Sequence, residues 1–169
     1  MKKIEARKQA LALRKDIDNI KISKQIINDI YNSNVLDGFN NIGIYYPLGK
    51  EIDITSLVDL YPNKKFYLPI TKNDIYFVSY DNNTPLYDGP FKTKEPKGIE
   101  ILRDKIECFI IPCVCISKDN KRVGYGKGYY DRYLNGYNGY KIGICYKDSN
   151  DLDIDMDTFD VSLNMKFVG

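Results

Sequence analysis

The sequence predicts an α/β fold, a single three-layer α/β/α domain over residues 1–169 with a mostly parallel central sheet. Two observations predict it. Apolar runs of strand length recur along the chain between segments of helical spacing, the pattern of parallel strands with helices packed over them. One run, IECFIIPCVCI at 106–116, is apolar at almost every position rather than at alternate ones. That composition suits a central strand covered on both faces. The length of 169 residues is that of one ordinary domain, and no repeat, low-complexity segment or linker divides it.

Taken in order, Ile4, Ala6, Ala10, Leu11, Ala12 and Leu13 give residues 3–19 an imperfect apolar helix face. A second helix is expected after Ser23, through Ile26, Ile27 and Ile30 to about Tyr31. NIGIYYP at 41–47 reads as a buried strand stopped by Pro47. Asp53 or Thr55 is placed to cap a short helix running to about Leu60. KFYLPI at 65–70 and IYFVSYD at 75–81 read as strands, and YDGPFKTKEPKG at 87–98 as loop. After the central run come a polar turn, SKDNKR, and a glycine-rich loop. A helix should then begin near Gly128 or Tyr129 and end by NGYNG at 135–139. KIGICY at 141–146 is a further strand, and the tail from 151 is acidic and then apolar.

Composition removes several function classes. Hydrophobic residues are 43% and charged residues 28% of the chain, as in soluble globular proteins. The net charge of +2 does not argue for nucleic acid, so any basic site must be local. No apolar run approaches membrane-spanning length, and the basic N-terminal segment has no apolar core of a secretory signal. A cytoplasmic protein is expected, monomeric, with no membrane or nucleic-acid partner. Cys108, Cys113, Cys115 and Cys145 include no Cys-x-x-Cys pair and read as small buried thiols. There is no histidine, which excludes Ser-His-Asp and Cys-His catalysis and histidine metal sites. Phosphoryl transfer, which works by positioning and charge neutralisation, suits the residues that remain.

The stretch RVGYGKGYYDRYL at 122–134 carries the chemistry. A strand, a glycine-rich turn and a helix start make an anion-binding arrangement of outward-pointing amides. Gly124, Gly126 and Gly128 let the backbone approach a phosphate, Lys127 and Arg122 add positive charge, and Asp131 is placed to hold magnesium or a metal-bound water. The run is neither a Walker A motif nor GxGxxG, since position 129 is tyrosine. Lys3, Arg7 and Arg14 are spaced by four and seven and share one helix face, either closing over the phosphates or standing as a solvated basic stripe.

RVGYGKGYYDRYL after IIPCV resembles the signature of the 5-formyltetrahydrofolate cyclo-ligase family, also called 5,10-methenyltetrahydrofolate synthetases. The basic first helix, YYPLGKEID, KFYLPI and KEP at 94–96 are similar to further landmarks of the family, in the same order along nearly the whole chain. The resemblance implies an ATP- and magnesium-dependent conversion of 5-formyltetrahydrofolate to 5,10-methenyltetrahydrofolate, with release of ADP and phosphate. The formyl oxygen would attack the γ-phosphate, and N10 would then displace the phosphate. It further implies that Lys3, Arg7, Arg122, Gly124, Tyr125, Gly126, Lys127, Gly128, Tyr129 and Tyr130 form the ATP site, with Lys127 and Arg122 catalytic. Tyr46, Glu51 and Tyr130 would bind the folate, and Asp131 and Asp160 the metal. Many members carry a His-Asp pair and a later Asp near the last strand, where this chain has Phe159, Asp160 and Asn164. The rival readings are another ATP-dependent kinase or ligase built on the same loop, and a module that binds single-stranded RNA through Lys, Arg and Tyr.

Overall fold

A computed structural model describes residues 1–169. The helices are α1 (Lys3–Leu13), α2 (Asn19–Ser33), α3 (Leu57–Leu60) and α4 (Tyr129–Tyr133). The strands are β1 (Asn41–Gly43), β2 (Lys65–Thr71), β3 (Ile75–Tyr80), β4 (Tyr87–Asp88), β5 (Lys94–Glu95) and β6 (Glu100–Ile101), followed by β7 (Cys108–Pro112), β8 (Cys115–Ile116), β9 (Arg122–Val123), β10 (Tyr140–Cys145) and β11 (Met165–Val168). Seven of them form one sheet in the order β11-β10-β7-β1-β2-β3-β6. The pairings from β11 through β2 are parallel, and β3 and β6 add an antiparallel edge. This is the mixed, mostly parallel α/β sheet expected from the sequence.

Alternation along the strands sends side chains to two cores. Ile42, Ile44, Phe66, Leu68, Ile110, Ile142 and Ile144 meet Ile26, Ile27 and Ile30 of α2 and Leu57 of α3. Tyr67, Phe77, Phe109 and Ile111 face the other way, against Leu134 and Tyr137, which follow α4. A third, smaller cluster packs Ala6 and Ala10 of α1 on Val114, Cys115 and Val123. Only these two alanines, one turn apart, are buried on α1, so the helix lies close against the β8–β9 hairpin. All four cysteines are buried and unpaired. No helix is long and apolar enough to cross a membrane.

Several boundaries differ from expectation. The first helix stops at Leu13, and Arg14–Asp16 form a tighter 3₁₀ turn. The second begins at Asn19, four residues before Ser23 is reached, because the Asp18 carboxylate accepts from the Lys21 amide at 3.2 Å and caps it. The strand at 41–47 pairs over only three residues. The apolar run at 106–116 is not one strand: it leaves the sheet after Pro112 and turns into the β8–β9 hairpin. The carbonyls of Pro112 and Cys113 are taken by arginine side chains instead, Arg122 Nε at 2.6 Å and Arg14 Nη2 at 3.1 Å. The 87–98 segment, expected as loop, holds a hairpin of two two-residue strands, β4 and β5.

β1 pairs with β2 on one side and β7 on the other, so the chain winds away from it in both directions. In open α/β sheets the carboxyl ends of such central strands frame a crevice.

Candidate active site

That crevice is occupied by a cavity of about 470 Å³. Tyr45, Tyr46, Leu48 and Glu51 enter it after β1, Pro112 at the end of β7, and residues 122–131 from the hairpin, the glycine loop and α4. Lys3 and Arg7 reach in from α1, Thr71 from β2, Phe91 and Thr93 from the β4–β5 hairpin, and Asp160 from the tail. The structure thus brings Lys3, Arg7, Tyr46, Glu51, Arg122, Gly124, Tyr125, Gly126, Lys127, Gly128, Tyr129, Tyr130, Asp131 and Asp160 to one cavity. Arg14, grouped with Lys3 and Arg7 by spacing, does not line it. It lies behind the wall, bonded to Cys113 O and the Tyr125 hydroxyl.

Each glycine of the loop has an arginine against it. A Cβ on Gly124 would fall 2.6 Å from the Arg122 guanidinium, and one on Gly128 2.7 Å from that of Arg132. A Cβ on Gly126 would stand 3.4 Å from that of Arg7. Gly126 and Gly128 also have φ of +98° and +72°, where other residues are strained. Arg7 Nε donates to Gly124 O at 2.7 Å, and Arg132 Nη1 to Lys127 O at 2.9 Å. α4 is a single turn, so its dipole is short. Of the cations lining the site, Arg7, Arg122 and Lys127 have no carboxylate partner, whereas Lys3 is paired with Asp157 and Asp160.

Arg122 is buried, and its guanidinium lies 4.6 Å from the Tyr130 ring centre. Burial pushes the Tyr130 hydroxyl well above the usual tyrosine value, and Arg122 only partly offsets this, so Tyr130 is a neutral hydroxyl at physiological pH. Lys127 is exposed, with its ammonium 5.0 Å from the Phe91 ring centre. Phe91 adopts φ +58° at the tip of its hairpin. No local sequence signal marks this residue as part of the site, because its positive φ and its approach to Lys127 depend on the hairpin.

Glu51 is 5% exposed, not the surface carboxylate that its loop position suggests. Its Oε1 accepts from the Leu48 amide at 2.7 Å. Burial raises its pKa to about 7, against the opposing pull of that amide and of Arg14 and Arg122. The carboxyl is therefore poised between its two states near neutrality.

Lys3 donates to Asp160 and to Asp157, both at 2.7 Å. Partial burial works to lower the ammonium's pKa, but the two carboxylates outweigh it and hold it above the usual lysine value. Asp131 Oδ1 accepts from the amide of Val161 at 3.2 Å, so Asp131 and Asp160 approach the cavity together. No three Asp, Glu, His or Cys residues gather into a metal cage. Two separate carboxylates suit magnesium held jointly with phosphate oxygens and water.

The chain is similar to a set of proteins of known activity. A 5-formyltetrahydrofolate cyclo-ligase of Mycoplasma pneumoniae is 32% identical over 136 residues, 73% of this chain and 70% of that protein. One of Haemophilus influenzae is 28% identical over 141 residues, 76% and 75% of the two chains. The solved 5,10-methenyltetrahydrofolate synthetase of Aquifex aeolicus superimposes with a TM-score of 0.86 at 25% identity, over 99% of this chain and 90% of that one. The Mycoplasma pneumoniae synthetase structure gives 0.78 at 28% identity, over 98% of each. The sequence model of the 5-formyltetrahydrofolate cyclo-ligase family matches residues 2–168, and the chain belongs to that family.

Proposed function

We propose that this protein converts 5-formyltetrahydrofolate to 5,10-methenyltetrahydrofolate with consumption of ATP. One observation carries the reading beyond family membership: the arginine-backed glycine loop and the buried Glu51 line the same cavity. A triphosphate and a neutral heterocycle rich in N–H groups would meet there.

In this reading Arg7 and Arg122, with the amides of the glycine loop, hold the triphosphate. Glu51, when ionised, accepts N–H bonds from the pterin, with Tyr46 and Tyr130 beside it. The N5-formyl oxygen attacks the γ-phosphorus, the bond to the β,γ-bridging oxygen breaks, and ADP leaves. Lys127 offsets the charge on the transferring group. N10 then attacks the formyl carbon, the C–O bond to phosphate breaks, and N10 loses its proton as the ring closes. No protein nucleophile is needed, in keeping with a chain that has no histidine. Magnesium would neutralise the phosphates, with Asp131 and Asp160 as its protein ligands.

The test follows the near-ultraviolet band of the methenyl product when 5-formyltetrahydrofolate, ATP and magnesium are mixed with the protein, and measures ADP in parallel. Equal amounts of methenyl product and ADP, both absent without ATP, support the reading. ADP formed on another acceptor, with formylfolate untouched, would reassign the loop to a different kinase or ligase.

A further inference from the structure

The glycine loop and the Leu48–Glu51 turn both line the cavity, and no hydrogen bond runs directly between them. Arg14 reaches both. It sits in the 3₁₀ turn after α1 and is 5% exposed. Its Nη1 donates to the Tyr125 hydroxyl at 3.0 Å, and Tyr125 is the side chain between the first two glycines of the loop. Its Nη2 donates to Cys113 O at 3.1 Å, just past the end of β7. Its guanidinium lies 5.8 Å from the Tyr146 ring centre, within cation–π range. The Tyr146 hydroxyl in turn donates to the carbonyl of Lys50 at 2.6 Å, one residue before Glu51.

A buried arginine is costly to desolvate, and an apolar side chain would fill the same volume more cheaply. This one leaves its Nε without a partner, so it is not fully satisfied by the groups that hold it. Its charge also acts on Glu51. Burial drives the Glu51 pKa up, and Arg14 and Arg122 are the two cations that draw it back. The other titratable groups facing Glu51 are Tyr45 after β1, Cys113 after β7, Tyr125 in the loop, Tyr130 in α4 and Tyr146 after β10. None of these is cationic.

We propose that Arg14 is a positioning residue that couples these two parts of the cavity wall, so that a nucleotide on the glycine loop and a folate on Glu51 bind more tightly together than apart. This rests on the function proposed above. When the loop closes on phosphate, Tyr125 shifts, and the guanidinium bonded to it shifts relative to Glu51 and to the ring that braces Lys50. The coupling is reciprocal, as any linkage between two binding sites must be.

The test measures 5-formyltetrahydrofolate binding by calorimetry across a pH series. It is run with and without a non-hydrolysable ATP analogue and magnesium, for the wild type, Arg14→Met, Arg14→Lys and Tyr146→Phe. In the wild type the analogue should tighten folate binding by at least ~5-fold, the lower end of ordinary coupling. Arg14→Met should bring that factor close to one and move the pH midpoint of folate binding upward, because a cation that favours the ionised carboxylate is gone. A purely structural arginine would leave the coupling factor unchanged. Arg14→Lys should keep the midpoint and lose much of the coupling, because lysine restores the charge but cannot bond Tyr125 and Cys113 together. Tyr146→Phe should weaken coupling at an unchanged midpoint. The proposal is overturned if the wild type shows no coupling, or if Arg14→Met keeps the wild-type factor, whether or not its midpoint moves. Should Arg14→Met fail to fold, wild-type coupling in both Arg14→Lys and Tyr146→Phe overturns it equally. Wild-type protein that binds the analogue and never binds folate would instead refute the proposed function, and the titration without nucleotide separates that result from lost coupling.

Discussion

A methyl group added at Gly124 would meet the Arg122 guanidinium, whose Nε is already committed to Pro112 O beneath the loop. Gly124→Ala should therefore displace Arg122 and cost about 1–3 kcal/mol, an overpacking penalty read in a denaturant titration, with a raised KM for ATP. Lys127 presents the opposite case. It is exposed, with its ammonium over the Phe91 ring, so Lys127→Ala should leave the unfolding free energy within about 0.5 kcal/mol of wild type. Turnover should fall by ~10²–10³, as when one preorganised donor to a developing charge is removed. Equal turnover in this variant would take Lys127 out of the chemistry. Glu51 should impose a pH dependence. Its folded pKa of about 7 lies above the unfolded value near 4.5. Glu51's own contribution to stability is therefore greatest below pH ~4.5, declines as pH rises, and is lost above about 7. Glu51→Gln should be more stable than wild type at pH 8, by an amount on the order of 3 kcal/mol, and should bind folate weakly at every pH. Wild-type folate affinity should rise as pH passes through about 7.

Among the elements, α2 shows how local rules set a boundary that apolar spacing misses. The helix expected after Ser23 starts where Asp18 can cap it, and Ile22 already continues the Ile26 and Ile30 spacing backwards. Asp18→Ala should cost ~1 kcal/mol in a denaturant titration. β6 and β11 are not among the strands expected from the sequence, whereas β1, β2, β3, β7 and β10 were legible because each lies in an apolar run. The break after Pro112 was not, because the apolar run continues unchanged to Ile116. What ends the strand is the pair of arginines bonding Pro112 O and Cys113 O, contacts made across 10 and 99 residues of sequence. The same limit hid much of the site. The glycine loop announced itself by composition, and family resemblance supplied Glu51. No local pattern revealed that Glu51 is buried, that Phe91 faces Lys127, or that Arg14 stands behind the wall rather than on the basic face of α1.

Across the whole molecule, the cavity exists because the chain winds in both directions from β1 and then returns its first and last segments to one place. Lys3 and Asp160 meet across 157 residues. Nothing else on α1 but Ala6 and Ala10 is fully buried, so the helix depends on such contacts to stay on the site. A nucleotide bridging α1 and the glycine loop should stabilise the entire fold. At a hundredfold excess over Kd the gain should be about 2.7 kcal/mol, read as a concentration-dependent rise in Tm. Lys3→Met should reduce that rise, because it removes a phosphate partner and leaves Asp160 without its cation.

The most direct test of the chemistry assigned to this cavity uses 5-formyltetrahydrofolate labelled with ¹⁸O in the formyl group, turned over with ATP and magnesium, with the released phosphate analysed by mass spectrometry. Attack of the formyl oxygen on the γ-phosphorus predicts one ¹⁸O atom in each inorganic phosphate for each methenyl product formed. Label lost to water, with unlabelled phosphate, would contradict phosphoryl transfer to the formyl oxygen and with it the catalytic roles of Lys127 and Arg122.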